Sequence, residues 1–216
     1  MQIKEYFYML EAKRLKTENE KLKKEIEESR IMYETIVKHA TTLENELDDK
    51  LRKITTMSIT DSLTNIFNRR KLTECMINEM LKARKNSTPL SLVLYDIDHF
   101  KDINDKNGHE YGDVVLVSTV NLIKDTIKQN DIFARWGGDE FIVLLPQINI
   151  YESVNLAEAM RNRVYNYYMG HESPVTCSFG VTKFRDDDDI KSFIYRADNA
   201  LYEAKNHGRN SVRSLL

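Results

Sequence analysis

The first 57 residues carry an apolar repeat with a 3.5-residue period, which restricts this segment to one long helix. Heptad positions a and d fall at Ala12, Asn19, Ile26, Tyr33, Ala40, Leu47 and Ile54, and at Leu15, Leu22, Ser29, Ile36, Leu43, Lys50 and Met57. Eleven of these fourteen positions are apolar, the exceptions being Asn19, Ser29 and Lys50. No proline or glycine occurs before Pro89. The pattern predicts a coiled coil over residues 1–57.

The polar residue at one a position bears on how the coil is built. A single Asn such as Asn19 favours a parallel two-stranded register, because each Asn side chain can pair with its mate. The alternative is one amphipathic helix that lies on its own domain. A helix of about 45 residues would reach about 65–70 Å, much further than a small domain extends. We therefore expect a homodimer through a parallel coiled coil.

Charge and composition exclude several classes of protein. The net charge is -2, so no basic excess predicts nucleic acid as a partner. The two cysteines, Cys75 and Cys177, are too few for a disulfide framework. No run approaches the roughly 18 apolar residues of a spanning helix, and MQIKEYFYML lacks the features of a signal peptide. We expect a cytoplasmic chain without a membrane segment, which could be a piece of a longer protein with an upstream sensor domain.

Residues 58–216 have the pattern of an α+β domain. Strands are predicted at Leu90–Asp98, on both sides of Gly137-Gly138 and at Val175–Phe184. Helices are predicted at Arg69–Lys85, Gly112–Lys128, Tyr151–Tyr168 and Ile190–Asn206. This order favours a ferredoxin-like, palm-type fold with a mostly antiparallel central sheet.

The segment RWGGDEFIVLLP places two acids, Asp139 and Glu140, on a glycine turn before an apolar strand. A third acid, Asp96, ends another predicted strand. Carboxylates that converge from separate strands are typical of a site for Mg²⁺ and nucleotide phosphate. Gly137 and Gly138 permit a tight primed turn and leave room for a ligand against the backbone. An ordinary acidic turn is the alternative at this stage.

Five motifs together resemble the GGDEF domain of diguanylate cyclases. They are DSLTNIFNRR (61–70), DIDHFKDINDKNGHEYGD (96–113), GGDEF (137–141), CSFGV (177–181) and ADNALYEAKNHGRN (197–210). The resemblance runs in order from residue 61 to about 213. It implies that the chain condenses two GTP into cyclic di-GMP and two pyrophosphates, with two Mg²⁺ or Mn²⁺ ions per active site.

The resemblance also implies a role for each site residue. Asp96 and Asp139 would bind metal through their side chains, Ile97 through its carbonyl, and Glu140 would complete or support the shell. Phe100 and Lys101 would offer helix-start amides to the phosphates, Lys205 and Arg209 would reach the same phosphates, and Gly137 and Gly138 would give clearance. Catalysis would rest on Asp139, Glu140, Lys205 and Arg209, with the general base left open between Asp139 and metal-bound hydroxide.

Guanine recognition is implied for Asn104 and Asp113. Guanine presents two adjacent donors, N1–H and N2–H₂, which suit a carboxylate, whereas adenine presents an acceptor there. Asp113 could also be the first-turn acid of a helix at Val114–Ile123, a role that is compatible with guanine recognition. Ordinary helix C-terminal cations are likewise the alternative for Lys205 and Arg209.

Three neighbouring features receive structural interpretations. Asp98 is expected to cap a helix that opens at 99–101. Arg69 and Arg70 are expected to fix the start of the domain rather than touch substrate. The acidic run 186–189 is expected to be a solvated loop in which Asp189 caps the last helix.

One position departs from the family pattern. Many members carry an RxxD product-inhibition site before the GGDEF segment, and here the matching residues read KQND, Lys128 to Asp131. Because Lys lacks the planar fork of Arg, we expect weak or absent feedback inhibition. Three functional alternatives remain: an inactive GGDEF receptor that binds GTP or cyclic di-GMP, a cyclic GMP-AMP synthase, which Asp113 disfavours, and a coiled-coil scaffold.

Overall fold

The computed structural model describes residues 2–169 and 174–216, and the side chains of these except 2–6, 49 and 51–58. Its helices are α1 (Gln2–Ile59), α2 (Arg69–Asn86), α3 (Phe100–Asn107), α4 (His109–Lys124), α5 (Ile150–Tyr165) and α6 (Ile190–Asn206). Its strands are β1 (Phe67–Asn68), β2 (Leu90–Ile97), β3 (Ile132–Gly137), β4 (Glu140–Pro146), β5 (Cys177–Lys183) and β6 (Val212–Leu215). The chain divides into two compact units, one ending at Thr55 and the other spanning Thr56–Leu216.

Helix α1 is continuous over 58 residues and carries the predicted heptad seam. The apolar side chains of this seam are exposed in the single chain, for example Leu22 at 50% and Ile26 at 66%. Two seam positions, Ile54 and Met57, lie outside the described side chains. A helix that leaves such a row of apolar residues uncovered fits a coiled coil. No helix of the described chain is long and apolar enough to cross a membrane.

The second unit is built on one six-stranded sheet, in the order β1-β3-β4-β2-β5-β6. The three central pairings are antiparallel, and the two edge pairings, β1 with β3 and β5 with β6, are parallel. The predicted α+β fold with a mostly antiparallel sheet is therefore confirmed. Four central positions are buried aromatic side chains that stack or tilt against each other: Tyr95, Phe133, Phe141 and Phe179.

Alternate residues of the strands feed two cores on opposite faces of the sheet. Tyr95 and Phe141 belong to the core that includes residues of α4 and α5. Leu94 and Ile142 belong to the core that includes residues of α2 and α6. Both faces are thus covered, which explains why β2 is buried along its whole length.

The structure differs from the prediction at the sheet edges and at several helix ends. Strands β1 and β6 were not predicted, because two to four residues are too few to show alternation. Helix α4 begins three residues before Gly112 and ends at Lys124 rather than Lys128, and α5 ends at Tyr165 rather than Tyr168. Strand β5 begins at Cys177, two residues after the predicted Val175.

Gly180 lets α6 approach the sheet unusually closely. A Cβ on this residue would lie 2.1 Å from the carbonyl oxygen of Ala197 and 2.4 Å from the amide nitrogen of Leu201. Since both are backbone atoms, α6 could not keep its place above any other residue. This close packing fixes the height at which the C-terminal turn of α6 meets the end of β2.

Candidate active site

Two of the predicted site acids face each other across the centre of the sheet. Asp96 of β2 and Glu140 of β4 are paired positions of an antiparallel ladder. They share a face with Leu94 and Ile142, so both carboxylates lie on the α2 and α6 side. Asp96 is 8% exposed, and Asp139 lies in the turn immediately before Glu140. The structure therefore brings these acids together at one end of the two central strands, β2 and β4, and this end is called the carboxylate edge of the sheet below.

Lys205 approaches this edge from the last turn of α6. Its Nζ lies 3.0 Å from Oδ2 of Asp96. The pKa of Asp96 is raised to about 6: burial raises it most, the hydrogen bond and charge of Lys205 lower it, and the neighbouring charges of Asp139 and Glu140 raise it. One ammonium group therefore only partly offsets three clustered carboxylates.

Glu140 responds to the same crowding. Burial raises its pKa, Lys205 and Arg69 lower it, and Asp139 and Asp198 raise it, so the net direction is upward. Because the pKa values of both carboxyl groups are raised, a further positive charge at this site would stabilise their ionised forms.

The glycine turn needs a positive φ at one glycine rather than at both. Gly137 still pairs with Glu140, which leaves Gly138 and Asp139 as the two turn residues. Only Gly138 of the glycine pair adopts a positive φ, 53°. No heavy atom lies within 4 Å of the position that a Cβ would take at either glycine. The space above the turn is open, as the clearance interpretation requires.

Arg135 fastens this turn to the start of the domain. Its Nε donates to the carbonyl oxygen of Gly138 at 2.8 Å, and its Nη1 donates to both carboxylate oxygens of Asp61 at 3.1 and 3.2 Å. Asp61 in turn accepts from the amide and hydroxyl of Thr64. Sequence reasoning missed Arg135 and Asp61 as functional residues. It assigned the anchoring role to Arg69 and Arg70, whereas Arg69 lies over the ring of Trp136 at 4.1 Å.

The expectation that Asp98 caps a helix is wrong. The residue before α3 is His99, which has φ 58° and makes no side-chain cap. Asp98 is 4% exposed and accepts hydrogen bonds from the hydroxyls of Thr176 and Ser178 and from the amide of Asn210. Its carboxylate thus ties β5 to the segment after α6.

The predicted guanine readers lie on the two helices that follow β2. Oδ1 of Asn104 is buried and meets no hydrogen-bond donor among the described residues. It lies so close to Gly112 that a Cβ there would sit 1.9 Å from it. Asp113, the next residue along α4, is exposed. An unused acceptor next to an exposed carboxylate is the pairing that the donor edge of guanine requires.

The remaining predicted residues surround these groups. Phe100 and Lys101 are the first two residues of α3, where backbone N–H groups lack helical partners and favour anions. Ile97 ends β2. Arg209 is exposed but does not lie on α6, which ends at Asn206; it has φ 62° in the segment that follows.

The side chains of the site supply only part of the ligand set that a divalent cation requires. Within residues 2–169 and 174–216, no three His, Cys, Asp or Glu side chains lie close enough to hold a metal ion by themselves. Asp96, Asp139 and Glu140 nevertheless supply hard oxygen donors at one sheet edge, in the class that Mg²⁺ and Mn²⁺ prefer. Backbone and nucleotide phosphate oxygens would have to complete the shell.

The comparisons with known proteins agree with this geometry. The family described as "Diguanylate cyclase, GGDEF domain" matches residues 58–211. Diguanylate cyclase DgcP of Pseudomonas aeruginosa is 35% identical over 176 residues, 80% of this chain and 26% of that protein. Diguanylate cyclase DosC of Escherichia coli is 37% identical over 156 residues, 70% of this chain and 34% of that protein. The chain thus spans about a quarter to a third of these relatives.

One similar solved structure also contains both a coiled coil and a GGDEF domain. It is the coiled coil and GGDEF domain of DgcB from Caulobacter crescentus in complex with c-di-GMP, with a TM-score of 0.79 and 28% identity. The match covers 84% of this chain and 98% of that one. With the family match over residues 58–211, the carboxylate edge and the glycine turn in place, the chain belongs to the GGDEF-domain diguanylate cyclase family.

Proposed function

We propose that the chain is a diguanylate cyclase, which condenses two GTP into cyclic di-GMP and two pyrophosphates. The observation that carries the proposal is the Asp96–Glu140 pair, two opposed carboxylates that meet Lys205 beside the start of α3. In this proposal the carboxylates bind cations, and the backbone N–H groups at the start of α3 bind phosphates. The buried Oδ1 of Asn104, which meets no donor among the described residues, lies beside Asp113 and adds a preference for guanine.

Each residue has a part in this chemistry. Asp96, Asp139, the carbonyl of Ile97 and Glu140 would hold two divalent cations, Mg²⁺ or Mn²⁺. Such ions, when bound, make a hydroxyl more acidic and stabilise charge on the phosphate. Asn104 and Asp113 orient the base, the amides of Phe100 and Lys101 receive the phosphates, and Gly137 and Gly138 leave room for the nucleotide. Lys205 and Arg209 neutralise charge on the leaving pyrophosphate.

The reaction needs two copies of the domain. One domain holds one GTP, and in each transfer the 3′-hydroxyl of one GTP attacks the α-phosphate of the other and releases pyrophosphate. The exposed apolar seam of α1 supports a parallel homodimer that keeps two domains at high local concentration. Removal of residues 1–57 should then lower specific activity at dilute protein while GTP binding stays intact. Turnover that is unchanged across a dilution series would contradict the dimer proposal.

The activity itself is tested by product identification. The full chain is incubated with GTP and Mg²⁺, and products are separated by chromatography and identified by mass. We expect cyclic di-GMP and pyrophosphate in a 1:2 ratio, and neither from Asp139→Asn. Asp187→Asn, the same change at an exposed loop residue, is the matched control. Tight GTP binding without product would favour a catalytically inactive receptor, and a mixed product from GTP and ATP would favour a cyclic GMP-AMP synthase.

A further inference from the structure

A groove of about 490 Å³ opens beside Glu140, between the start of α2, the end of β3 and α6. Its lining includes Arg69, Leu94, Trp136, Glu140, Ile194 and Asp198. The guanine readers Asn104 and Asp113 lie on α3 and α4, which pack on the opposite face of the sheet. The groove is therefore separate from the nucleotide position proposed above, although both reach the same carboxylate edge.

Arg69 gives this groove a fixed donor group. Its guanidinium lies 4.1 Å from the ring centre of Trp136, a distance at which cation and ring attract each other. No hydrogen bond from this guanidinium to any described residue is found. The N–H donors of an Arg that is held on an aromatic ring are thus left for a ligand. A forked pair of donors of this kind matches the O6 and N7 acceptors of guanine.

Asp198 supplies the complementary acceptor. It is exposed on α6, lines the same groove and accepts no hydrogen bond within the described chain. Both Arg69 and Asp198 lie near enough to Glu140 to act on its pKa, in opposite directions. A carboxylate accepts well from the N1–H and N2–H₂ donors of guanine, whereas the N1 of adenine would oppose it lone pair to lone pair. Ile194 gives the groove an apolar wall, and the buried Leu94 lies behind it.

We propose that this groove is a second guanine-nucleotide site, in which Arg69 meets the O6/N7 edge of the base and Asp198 meets the N1/N2 edge. The site selects guanine over adenine by two features at once: the donor fork of Arg69 and the acceptor pair of Asp198. It does not use Asn104, Asp113 or a divalent cation, although it borders Glu140 of the proposed metal shell.

The single tryptophan of the chain makes the groove directly observable. Trp136 is the only Trp in the sequence, and Arg69 covers its ring. The experiment titrates the full chain, in a metal chelator, with GMP and separately with AMP while tryptophan emission is recorded. GMP should change the emission in a saturable way, and AMP should need an at least tenfold higher concentration. Asp113→Asn should keep the GMP response, because that residue belongs to the other nucleotide position.

The variant that decides the proposal is Asp198→Asn, which leaves Arg69 and Trp136 in place. It should weaken GMP binding about tenfold, since a hydrogen bond to a charged acceptor is lost. Asp187→Asn makes the same change outside the groove and should bind GMP as the unmodified chain does. The proposal is overturned if GMP leaves the emission unchanged, if GMP and AMP act equally, or if Asp198→Asn binds GMP within twofold of the unmodified chain. A chain that makes no cyclic di-GMP but passes these tests would refute only the proposed catalysis.

Discussion

Lys205 Nζ lies 3.0 Å from Asp96 Oδ2, so an ammonium group from α6 already neutralises part of the site before any cation arrives. The two residues are 109 positions apart in the sequence (205 − 96), and the approach of α6 above Gly180 brings them together. The contact satisfies the buried carboxylate in the absence of metal. In the proposed reaction, a divalent cation at Asp96 would compete with Lys205 for this carboxylate, which would favour contact of the lysine with phosphate.

Asp96→Asn should separate activity from stability. Replacement of the carboxylate removes one of three clustered negative charges, so the metal-free chain should become more stable, by about 1 kcal/mol. Product formation should fall more than roughly hundredfold, because an amide is a poor ligand for Mg²⁺. Thermal unfolding in a metal chelator and the product assay measure the two effects. A lower melting temperature than that of the unmodified chain would show that the Lys205 contact outweighs the repulsion.

Arg135→Lys should loosen the glycine turn. Lys keeps the charge but cannot bridge the Gly138 carbonyl and the Asp61 carboxylate together, since it lacks the planar fork. We expect a loss of about 1–2 kcal/mol in the free energy of unfolding and a roughly tenfold lower kcat. The readout that separates positioning from general damage is GTP affinity, which should change less than threefold. Arg213→Lys, on the edge strand β6, is the matched control and should leave both kcat and stability unchanged.

These two sites show what the sequence could and could not predict. The glycine turn and Asp96 were predicted because short local motifs mark them and because strand ends place acids at a sheet edge. The bond from Arg135 to Asp61 joins residues 74 positions apart, and Asp98 finds its partners 78 to 112 positions away. Neither contact has a local pattern. The cap assigned to Asp98 failed because burial and distant hydroxyls compete for the same carboxylate.

Asp188 should make the stability of the domain depend on pH. The sequence suggested that residues 186–189 form a solvated loop. Asp189 does cap α6, but Asp188 is 5% exposed. Burial raises the pKa of Asp188, yet hydrogen bonds from Arg196, from the amide of Arg185 and from Ser192 outweigh it, so the net direction is downward from 3.8.

The sign of this dependence follows from the lowered pKa. A carboxyl that is more acidic in the folded chain stabilises it fully above the unfolded value of 3.8, and this stabilisation is lost as the pH falls through the folded value. Asp188→Asn should cost about 3 kcal/mol at pH 7, because Arg196 loses its buried partner. It should also flatten the fall in stability below about pH 4. Denaturant unfolding between pH 3 and 7 measures both, and Asp187→Asn should reproduce the unmodified curve.

Tyr95→Phe should stabilise the domain. Tyr95 stacks on Phe141 and Phe179 with ring centres 5.0 and 5.2 Å apart, and its hydroxyl is buried without a partner among the described residues. Loss of a buried hydroxyl that makes no hydrogen bond should raise the free energy of unfolding by about 1 kcal/mol. Tyr111→Phe is the matched contrast, because that hydroxyl donates to the carbonyl of Met169 at 2.8 Å and its loss should destabilise. Urea unfolding that ranks the two variants in the opposite order would contradict this account.

Cyclic di-GMP should inhibit this chain weakly through the turn at Lys128–Asp131. The carboxylate of Asp131 accepts from the amide of Lys128 at 2.7 Å, and the amide of Asp131 donates to the carbonyl of Lys128 at 3.0 Å. Asp131 is therefore already hydrogen-bonded within the turn. The side chain of Lys128 lacks the planar guanidinium with which Arg binds a guanine edge or a phosphate through two hydrogen bonds. Lys128→Arg should restore that fork and increase the sensitivity of turnover to cyclic di-GMP by about tenfold or more. Rates measured over a range of added cyclic di-GMP test this, and micromolar inhibition of the unmodified chain that disappears in Lys128→Ala would show that lysine serves in place of arginine.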